Sequence, residues 1–189
     1  MTLPTLFSSR LSLRWLHSND ADVDAVYRIF SNPVSLRYWS HVPFVERQRA
    51  VSYIDEIHAG FASGTLFQWG IERNADRALI GTVTLVGIDQ INQRCSLGYI
   101  LDEPYWRQGY AATAVNLALC YAFGELDLHR VEADIDPRNG ASRRLLERLG
   151  FQREGLQRER YRLYDEWQDD EIYGLLSSDP AARKLLADP

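Results

Sequence analysis

The chain has 189 residues, a net charge of −5, 46% hydrophobic residues and 25% charged residues. These values are typical of a globular protein, and the length suits one domain with a well-buried core better than two. The acidic balance and the lack of a dense Lys/Arg block argue against nucleic acid as the main partner. We predict one domain over residues 1–189, with a core at about 9–176 and a loosely ordered tail at 177–189.

No run approaches the roughly 18 apolar residues that a membrane helix needs. The N-terminal stretch also lacks the basic segment and apolar segment of a secretion signal. Cys95 and Cys120 lie in apolar runs, and neither has the spacing to a second Cys or His that is typical of metal ligands. The sequence therefore predicts a cytoplasmic protein with two core cysteines, no membrane partner and no metal site.

Apolar periodicity and stop signals predict the elements of the first half. The first helix ends at Asn32, because a residue before proline is pushed out of the α region. Ser18, Asn19 or Asp20 can cap its start. The predicted elements are a strand over 11–15, this helix, a helix from about Glu46 to Ala62, and strands over Thr65–Glu72, Leu79–Ile88 and Cys95–Leu101.

The second half continues with helices and strands in alternation. Gly150 suits the left-handed cap at the end of a helix that follows Asn139. The predicted elements are a helix over Tyr110–Phe123, a strand over His129–Asp136, the helix from Asn139 to Leu149, and a hairpin of Arg153–Tyr164 and Trp167–Leu176. The tail that follows is predicted to hold only a short helical piece.

The segment Ser35–Phe44 is dense in aromatic residues and has no clear periodicity. Such a segment can plug the core, cover a substrate as a lid, line an acceptor pocket, or form a homodimer contact through Tyr38 and Trp39. His41 and His58, in the same region, can line an acceptor site or be structural. The sequence leaves these alternatives open.

An apolar strand that ends at Asp102 is followed by a turn and by Gly109, which opens a helix. The first turn of a helix has unpaired N–H groups and the positive end of the helix dipole. A glycine there lets the backbone approach a phosphate closely. This pattern predicts a phosphate or pyrophosphate site, although an ordinary strand-to-helix turn has the same pattern.

Two motifs add a family resemblance. Residues 106–111, WRQGYA, look like the acyl-CoA pyrophosphate loop of the GNAT superfamily of N-acyltransferases. Residues 138–142, RNGAS, followed by LLERLGF at 145–151, resemble the next block of that superfamily, in the same order and at a similar distance. The resemblance covers about Gly81 to Leu176 and is closest to the RimJ/RimL-like branch, which acetylates N-termini of ribosomal proteins.

The resemblance implies an α/β (α+β) GNAT fold, with a central mixed, mostly antiparallel sheet flanked by helices. The sheet would be splayed between its fourth and fifth predicted strands, Cys95–Leu101 and His129–Asp136. It implies an acetyl-CoA-dependent N-acetyltransferase acting on a primary amine, such as a protein N-terminal α-amine, by direct transfer in a ternary complex. The alternatives are acetylation of a polyamine, amino acid or antibiotic, and a non-catalytic acyl-CoA-binding domain.

The resemblance also implies site residues. Many relatives have a tyrosine proton donor where this chain has Leu146, and Ser142 occupies the position of the proposed substitute in the RimJ/RimL-like branch. Ser142 can instead bond the backbone of its own helix, and Asn139 can hold the cofactor or cap that helix. The implied cofactor-binding residues are Ile100, Leu101, Trp106, Arg107, Gln108, Gly109, Tyr110, Ala111, Ala112 and Asn139.

The general base is less determined by the sequence. An amine is mostly protonated at neutral pH, so a carboxylate should remove its proton before it attacks a thioester. We take Glu103 as the candidate, with Glu132, Asp134 and Glu159 as the alternatives. Each of these can also be an ordinary solvated surface charge.

Overall fold

The computed structural model describes residues 2–187, and within that range the strands form a mixed eight-stranded sheet. The strands are β1 (Leu6–Phe7), β2 (Leu11–Arg14), β3 (Leu66–Arg73), β4 (Leu79–Asp89), β5 (Arg94–Leu101), β6 (Arg130–Ile135), β7 (Gln152–Leu163) and β8 (Glu166–Leu176). Their order across the sheet is β1-β2-β3-β4-β5-β6-β8-β7. The predicted α/β fold is confirmed, and β1 is a short edge strand that the sequence analysis missed.

Helices cover both faces of this sheet. They are α1 (Asp20–Ser31), α2 (Arg47–Ala62), α3 (Tyr110–Cys120), α4 (Gly140–Arg148) and α5 (Pro180–Ala187), with a 3₁₀ turn at Glu103–Tyr105 and a π-helical turn at Tyr121–Glu125. Asn19 caps α1 by accepting a hydrogen bond from the N–H of Asp22 at 2.9 Å. Among residues 2–187 no helix is long and apolar enough to cross a bilayer.

Neighbouring strands are antiparallel except for β5 and β6, which are parallel. Their pairing joins residues 94–96 of β5 to residues 130–132 of β6. Both strands then continue without pairing to each other, to Leu101 and Ile135. We call these unpaired lengths the β5–β6 gap, and they lie between the two strands where the family resemblance implies a splayed sheet.

Two apolar cores lie on opposite faces of the sheet. One packs α3, α4 and α5 against the strands and contains Trp69 and Tyr173. The other packs α1 and α2 and contains Val26. Because side chains alternate along a strand, β5 contributes Leu97 to the first core and Ile100 to the second.

An ion pair ties α1 to the end of β5. Arg28 Nε donates to Asp102 Oδ2 at 2.9 Å, and Arg28 Nη2 donates to the carbonyl of Leu79 at 2.8 Å. Asp102 is buried and directly follows the last residue of β5. Because a buried carboxylate is costly without a partner, this pair fixes the point where β5 ends and the turn toward α3 begins.

The aromatic segment Ser35–Phe44 packs partly as core. Phe44 stacks on Phe30 with ring centroids 5.3 Å apart, and Trp39 meets Phe30 edge-on at 6.1 Å. Tyr38 is half-buried. The structure thus gives Trp39 and Phe44 a packing role over α1, and the lid and dimer interpretations stay predictions.

The described part of the tail forms α5. The sequence predicted a loosely ordered tail with a short helical piece, whereas Ala182 of α5 is fully buried and Cys120 Sγ donates to the carbonyl of Leu185 at 3.6 Å. The apolar spacing of α5 is too short to indicate packing by itself, so its docking on α3 was not predicted. Residues 1, 188 and 189, which the domain and tail predictions also cover, lie outside the described residues.

Gly150 provides a test of how α4 ends. It has a φ of 93°, and a Cβ atom there would lie 2.2 Å from the Cβ of Ala181 in α5. We expect Gly150→Ala to lower the free energy of unfolding by about 1–3 kcal/mol, because it combines left-handed backbone strain with this clash. Chemical denaturation measures the change. Gly155→Ala is the control, because a Cβ at Gly155 meets nothing within 4 Å, and equal stability of both variants would contradict the prediction.

Candidate active site

The turn between β5 and α3 has the backbone geometry of an anion site. Arg107 and Gly109 have positive φ angles of 60° and 83°, and Gly109 is the N-cap of α3. The N–H of Thr113 donates to the carbonyl of Gly109 at 3.2 Å, so the N–H groups of residues 110–112 precede the first intrahelical bond. These N–H groups and the helix dipole could hold a phosphate.

Side chains of this turn fix its conformation. Trp106 Nε1 donates to the carbonyl of Leu101 at 2.8 Å, and Tyr110 is buried. Arg10 donates through Nη1 to the carbonyl of Gln108 at 2.9 Å, and its guanidinium carbon lies 4.5 Å from the centroid of the Tyr110 ring. Arg10 was not predicted from the sequence, because no local pattern connects it to a turn 98 residues away.

Backbone alternation decides which N–H groups of β5 face the β5–β6 gap. The N–H of Asp102 donates to the carbonyl of Ile80 in β4 at 2.9 Å. In an antiparallel pair every second residue faces the same neighbour, so the N–H of Ile100 also lies on the β4 side. The N–H groups of Leu101 and Tyr99 then lie on the β6 side. Of the two predicted carbonyl-polarising donors, Leu101 therefore faces the gap, whereas Ile100 faces β4.

Ser142 lies in the first turn of α4 and is 8% exposed. Its hydroxyl forms a hydrogen bond with the Tyr99 hydroxyl, rather than with the helix backbone. Asn139 caps α4 by accepting a hydrogen bond from the N–H of Ser142 at 3.1 Å, which is one of its two predicted roles. Burial raises the pKa of Tyr99 to about 12, so its phenol stays protonated near neutral pH.

Tyr99 is a site residue that was not predicted from the sequence. In the sequence it is one aromatic residue of an apolar strand, and its partner lies 43 residues away. The hydroxyl pair arises because β5 and α4 approach each other on the face that carries α3. The two hydroxyls lie beside the strand length in which β5 no longer pairs with β6.

A cleft of about 590 Å³ opens next to the β5–β6 gap. Its lining includes Ser96, the last residue of β5 that pairs with β6, and Ala133, the first residue of β6 beyond the pairing. Ser40 of the aromatic segment also lines it. The charged lining consists of three arginines and four carboxylates: Arg94, Arg130, Arg160, Glu132, Asp134, Glu154 and Asp170.

Two of the four predicted bases line this cleft. Glu132 accepts a hydrogen bond from Arg130 Nε at 2.7 Å, whereas Asp134 is exposed on the next outward position of β6. Glu103 and Glu159 are exposed and lie outside the cleft lining. The structure thus brings Glu132 and Asp134 to the cleft and does not bring Glu103 there.

Asp170, on β8, is a cleft carboxylate that the sequence analysis missed. It is 6% exposed. Burial, and next the charge of Asp134, raise its pKa to about 6, although Arg160 opposes the shift. In the sequence it lies in the charged run DEWQDDE, where nothing separates it from the adjacent Asp169.

His41, His58 and the two cysteines do not line this cleft. His58 bonds a backbone carbonyl at 2.8 Å and stacks on Trp15 with ring centroids 4.5 Å apart, so it has a structural role. His41 is exposed and lies 3.1 Å from the hydroxyl of Ser40. Burial raises the pKa of Cys95 to about 12, which keeps this thiol protonated.

Groups that can play four chemical roles lie around the β5–β6 gap. The start of α3 can hold an anion, the N–H of Leu101 can polarise a carbonyl, Ser142 can supply a hydroxyl proton, and the cleft carboxylates can bind a cation. Transfer of an acyl group from a phosphate-bearing carrier to an amine needs this combination.

The raised pKa of Asp170 predicts how stability depends on pH. Between pH about 4 and about 6 the folded protein holds a proton on Asp170 that the unfolded chain has lost, so the free energy of unfolding falls as the pH rises through this window. We expect Asp170→Asn to remove this fall, because the amide does not titrate. Denaturation across the window measures it. Asp165→Asn is the exposed control, and an unchanged slope in Asp170→Asn would contradict the prediction.

Comparisons with known proteins agree with this geometry. A family model described as "Acetyltransferase (GNAT) domain" matches residues 10–152. The uncharacterized N-acetyltransferase YoaA of Bacillus subtilis is 34% identical over 156 residues, which covers 82% of this chain and 87% of that protein. The ribosomal protein uS5-alanine N-acetyltransferase of Escherichia coli is 28% identical over 180 residues, covering 92% and 91%.

A solved structure shares the fold. Spermidine N-acetyltransferase from Vibrio cholerae, in complex with CoA and spermine, superposes with a TM-score of 0.79 at 24% identity and covers 90% of this chain and 98% of its own. Members of the matched family take their acetyl group from acetyl-CoA. The chain belongs to the GNAT family of acetyltransferases and is an N-acetyltransferase with acetyl-CoA as its co-substrate.

Proposed function

We propose that this enzyme acetylates the α-amine of a protein N-terminus by direct transfer in a ternary complex. The observation that carries this choice of acceptor is the charge balance of the cleft. Four carboxylates and three guanidinium groups line it, so its formal charge is one negative unit. This charge complements a single N-terminal ammonium, whereas a polyamine would bring several positive charges beside the arginines.

The arginines of the cleft also suit a peptide. Arg130 is held by Glu132 at 2.7 Å and by Glu154, and so keeps its position. Arg160 forms no ion pair within residues 2–187, so its guanidinium is available to peptide carbonyl oxygens. The 28% identity to the uS5-alanine enzyme supports the same acceptor class.

Backbone groups would hold the acetyl-CoA. The N–H groups of residues 110–112 would bind the pyrophosphate, and Gly109 would let it approach because it has no Cβ atom. The β5–β6 gap would admit the pantetheine arm. The N–H of Leu101 would then polarise the thioester carbonyl as its oxygen gains negative charge.

Ser142 would supply the proton for the departing sulfur. Its hydroxyl is nearly buried, and the capping bond from Asn139 fixes the start of its helix. Tyr99 bonds the same hydroxyl and would orient it. A hydroxyl held in this way can act as the general acid that relatives with a tyrosine obtain from a different position of the helix.

A second candidate acceptor is a small polyamine. The exposed Asp134 and the buried Asp170 offer two carboxylates in one cleft, and these could bind two ammonium groups. The solved structure with spermine supports this alternative only through its fold. Acceptor profiling separates the two candidates.

We also assign the chain to the RimJ/RimL-like branch and to the cytoplasm. Ser142 and the similarity to the uS5-alanine enzyme support the branch. Cys95 and Cys120 are both free thiols, which suits a reducing compartment. A homodimer through the half-buried Tyr38 is part of the same proposal and is testable by light scattering.

Thiol release from acetyl-CoA tests the proposed acceptor and acid together. Peptides with different N-terminal residues, spermidine and kanamycin serve as acceptors. We expect transfer to peptides, with Ser142→Ala lowering kcat by about 100-fold or more and leaving the KM for acetyl-CoA nearly unchanged, because the proton is needed only in the transition state. Tyr99→Phe is expected to cost less, since it removes only the orienting partner.

Other results of this assay would contradict the proposed acceptor, the proposed acid or the catalytic role itself. Transfer confined to spermidine or kanamycin would contradict the N-terminal acceptor. A larger loss in Tyr99→Phe than in Ser142→Ala would move the acid role to the tyrosine. CoA binding without turnover on any amine would instead support the non-catalytic acyl-CoA-binding alternative.

Gly109→Ala tests the backbone grip on CoA. We expect its Kd for CoA to rise about tenfold or more, because a shift of the strained turn weakens charge-assisted hydrogen bonds to the pyrophosphate. Gly64→Ala is the matched control, since Gly64 has a similar φ of 71° and a Cβ there meets nothing within 4 Å. Isothermal titration calorimetry gives both constants, and equal Kd values for the two variants would contradict the assignment.

A further inference from the structure

Three carboxylates are buried around the end of β6 and along β8, and their partners differ. Asp136 accepts hydrogen bonds from the N–H of Arg138 at 2.7 Å and from its side chain. Glu171 accepts from Arg143 at 3.1 Å and from Tyr173 at 3.2 Å. Both charges are therefore compensated inside the protein, as is usual for buried carboxylates.

Asp170 is the exception. It is as buried as Glu171, but none of residues 2–187 donates a hydrogen bond to its carboxylate or forms an ion pair with it. Its side chain lines the cleft. A buried carboxylate that lacks a partner and faces a cleft is suited to a ligand that brings a hydrogen-bond donor.

The charged groups around Asp170 come from three strands. From β6 Asp134 faces it, with Asp136 just beyond that strand, and from β7 come Arg160 and Tyr161. Asp169 is its neighbour on β8. Burial is the largest cause of its raised pKa, Asp134 adds to the effect, and Arg160 opposes it. In the cleft as a whole the four carboxylates outnumber the three arginines, so the surroundings favour a positively charged ligand.

A protonated primary amine fits these surroundings. It has three N–H donors and one positive charge, which two carboxylates on adjacent strands can share. A metal ion fits less well, because within the described residues no group of three or more His, Cys, Asp or Glu side chains is arranged to hold one. The cleft also reaches Ser96 and Ala133 at the β5–β6 gap, where the thioester would lie.

We propose that Asp170 is the catalytic base that removes the proton from the acceptor ammonium, while Asp134 holds that ammonium in the cleft. This inference rests on the proposed amine acetylation and replaces Glu103 as the base. The ammonium gives one proton to Asp170, and the neutral nitrogen forms a bond to the thioester carbon. The carbon–sulfur bond then breaks, and the second excess proton of the nitrogen passes to the sulfur through Ser142, which takes up a proton as it gives up its own. Asp170 finally releases its proton to water.

The test is the pH dependence of acetyl transfer by the full chain, with an alanine-initiated peptide and spermidine as parallel acceptors. For the wild type, kcat/KM should rise as the pH passes about 6, because Asp170 must be ionised to accept the proton. Asp170→Asn should lower kcat/KM about 100-fold or more near neutral pH and lose this rise. Its rate should recover as the pH approaches about 8, where an α-amine deprotonates unaided.

Two controls separate a catalytic role from a structural one. Asp170→Asn removes no hydrogen bond found in the described chain, so it should fold, and its Kd for CoA should equal that of the wild type. Asp169→Asn changes the same charge on the adjacent residue, which accepts a hydrogen bond from the N–H of Glu159 at 2.8 Å and does not line the cleft. Because Asp169 is the smallest of the named causes of the raised pKa of Asp170, this variant should keep the wild-type rate near neutral pH and a rise at nearly the same pH.

The results separate a failure of this inference from a failure of the proposed function. If the wild type transfers acetyl and Asp170→Asn keeps both its rate and its rise near pH 6, Asp170 is not the base and the proposed function stands. If Asp169→Asn loses as much activity as Asp170→Asn, the effect is not specific to the cleft and the inference is overturned. If the wild type transfers acetyl to no amine in the panel, the proposed function falls and the inference falls with it.

Discussion

The short parallel pairing of β5 and β6 is the constraint on which the rest of the site depends. The two strands share hydrogen bonds only over residues 94–96 and 130–132, and then each leads to its own helix. Because parallel strands end at the same edge of a sheet, α3 and α4 both begin at that edge, and ligands of α/β sheets bind in such crevices. The free N–H groups at the start of α3 and the Ser142 hydroxyl of α4 are thus brought to the same edge of the sheet by topology.

An opened sheet needs support, because unpaired backbone groups are costly unless water, a side chain or a ligand satisfies them. Here Trp106 satisfies the carbonyl of Leu101, and Arg28 holds Asp102 where β5 ends. Arg10 braces the next turn from the other end of the chain. These contacts involve side chains from separate elements, and together they hold the end of β5 and the turn that follows it.

The features that were predicted correctly from the sequence are those set by short-range backbone preferences and hydrogen bonds. Three such features are present: a helix cap among residues 18–20, which is Asn19, the left-handed helix end at Gly150, and the turn at Gly109. Each follows from the residue and its near neighbours. The missed features depend on register and distance. Tyr99 meets Ser142 across 43 residues, and Asp170 differs from Asp169 only because strand alternation turns one of them into the cleft. No local pattern contains that information.

Strand alternation also separates the two proton transfers of the proposed reaction. Tyr99 packs, as Leu97 does, with the core that carries α3 and α4, whereas Ser96 lines the cleft on the side of Ser40. The base and the acid therefore lie on opposite faces of the sheet. A continuous sheet would keep them apart, but the β5–β6 gap lets both faces reach one thioester. The acceptor proton can then leave toward the cleft while the sulfur receives its proton from the helix side, so the two carriers do not compete for one position.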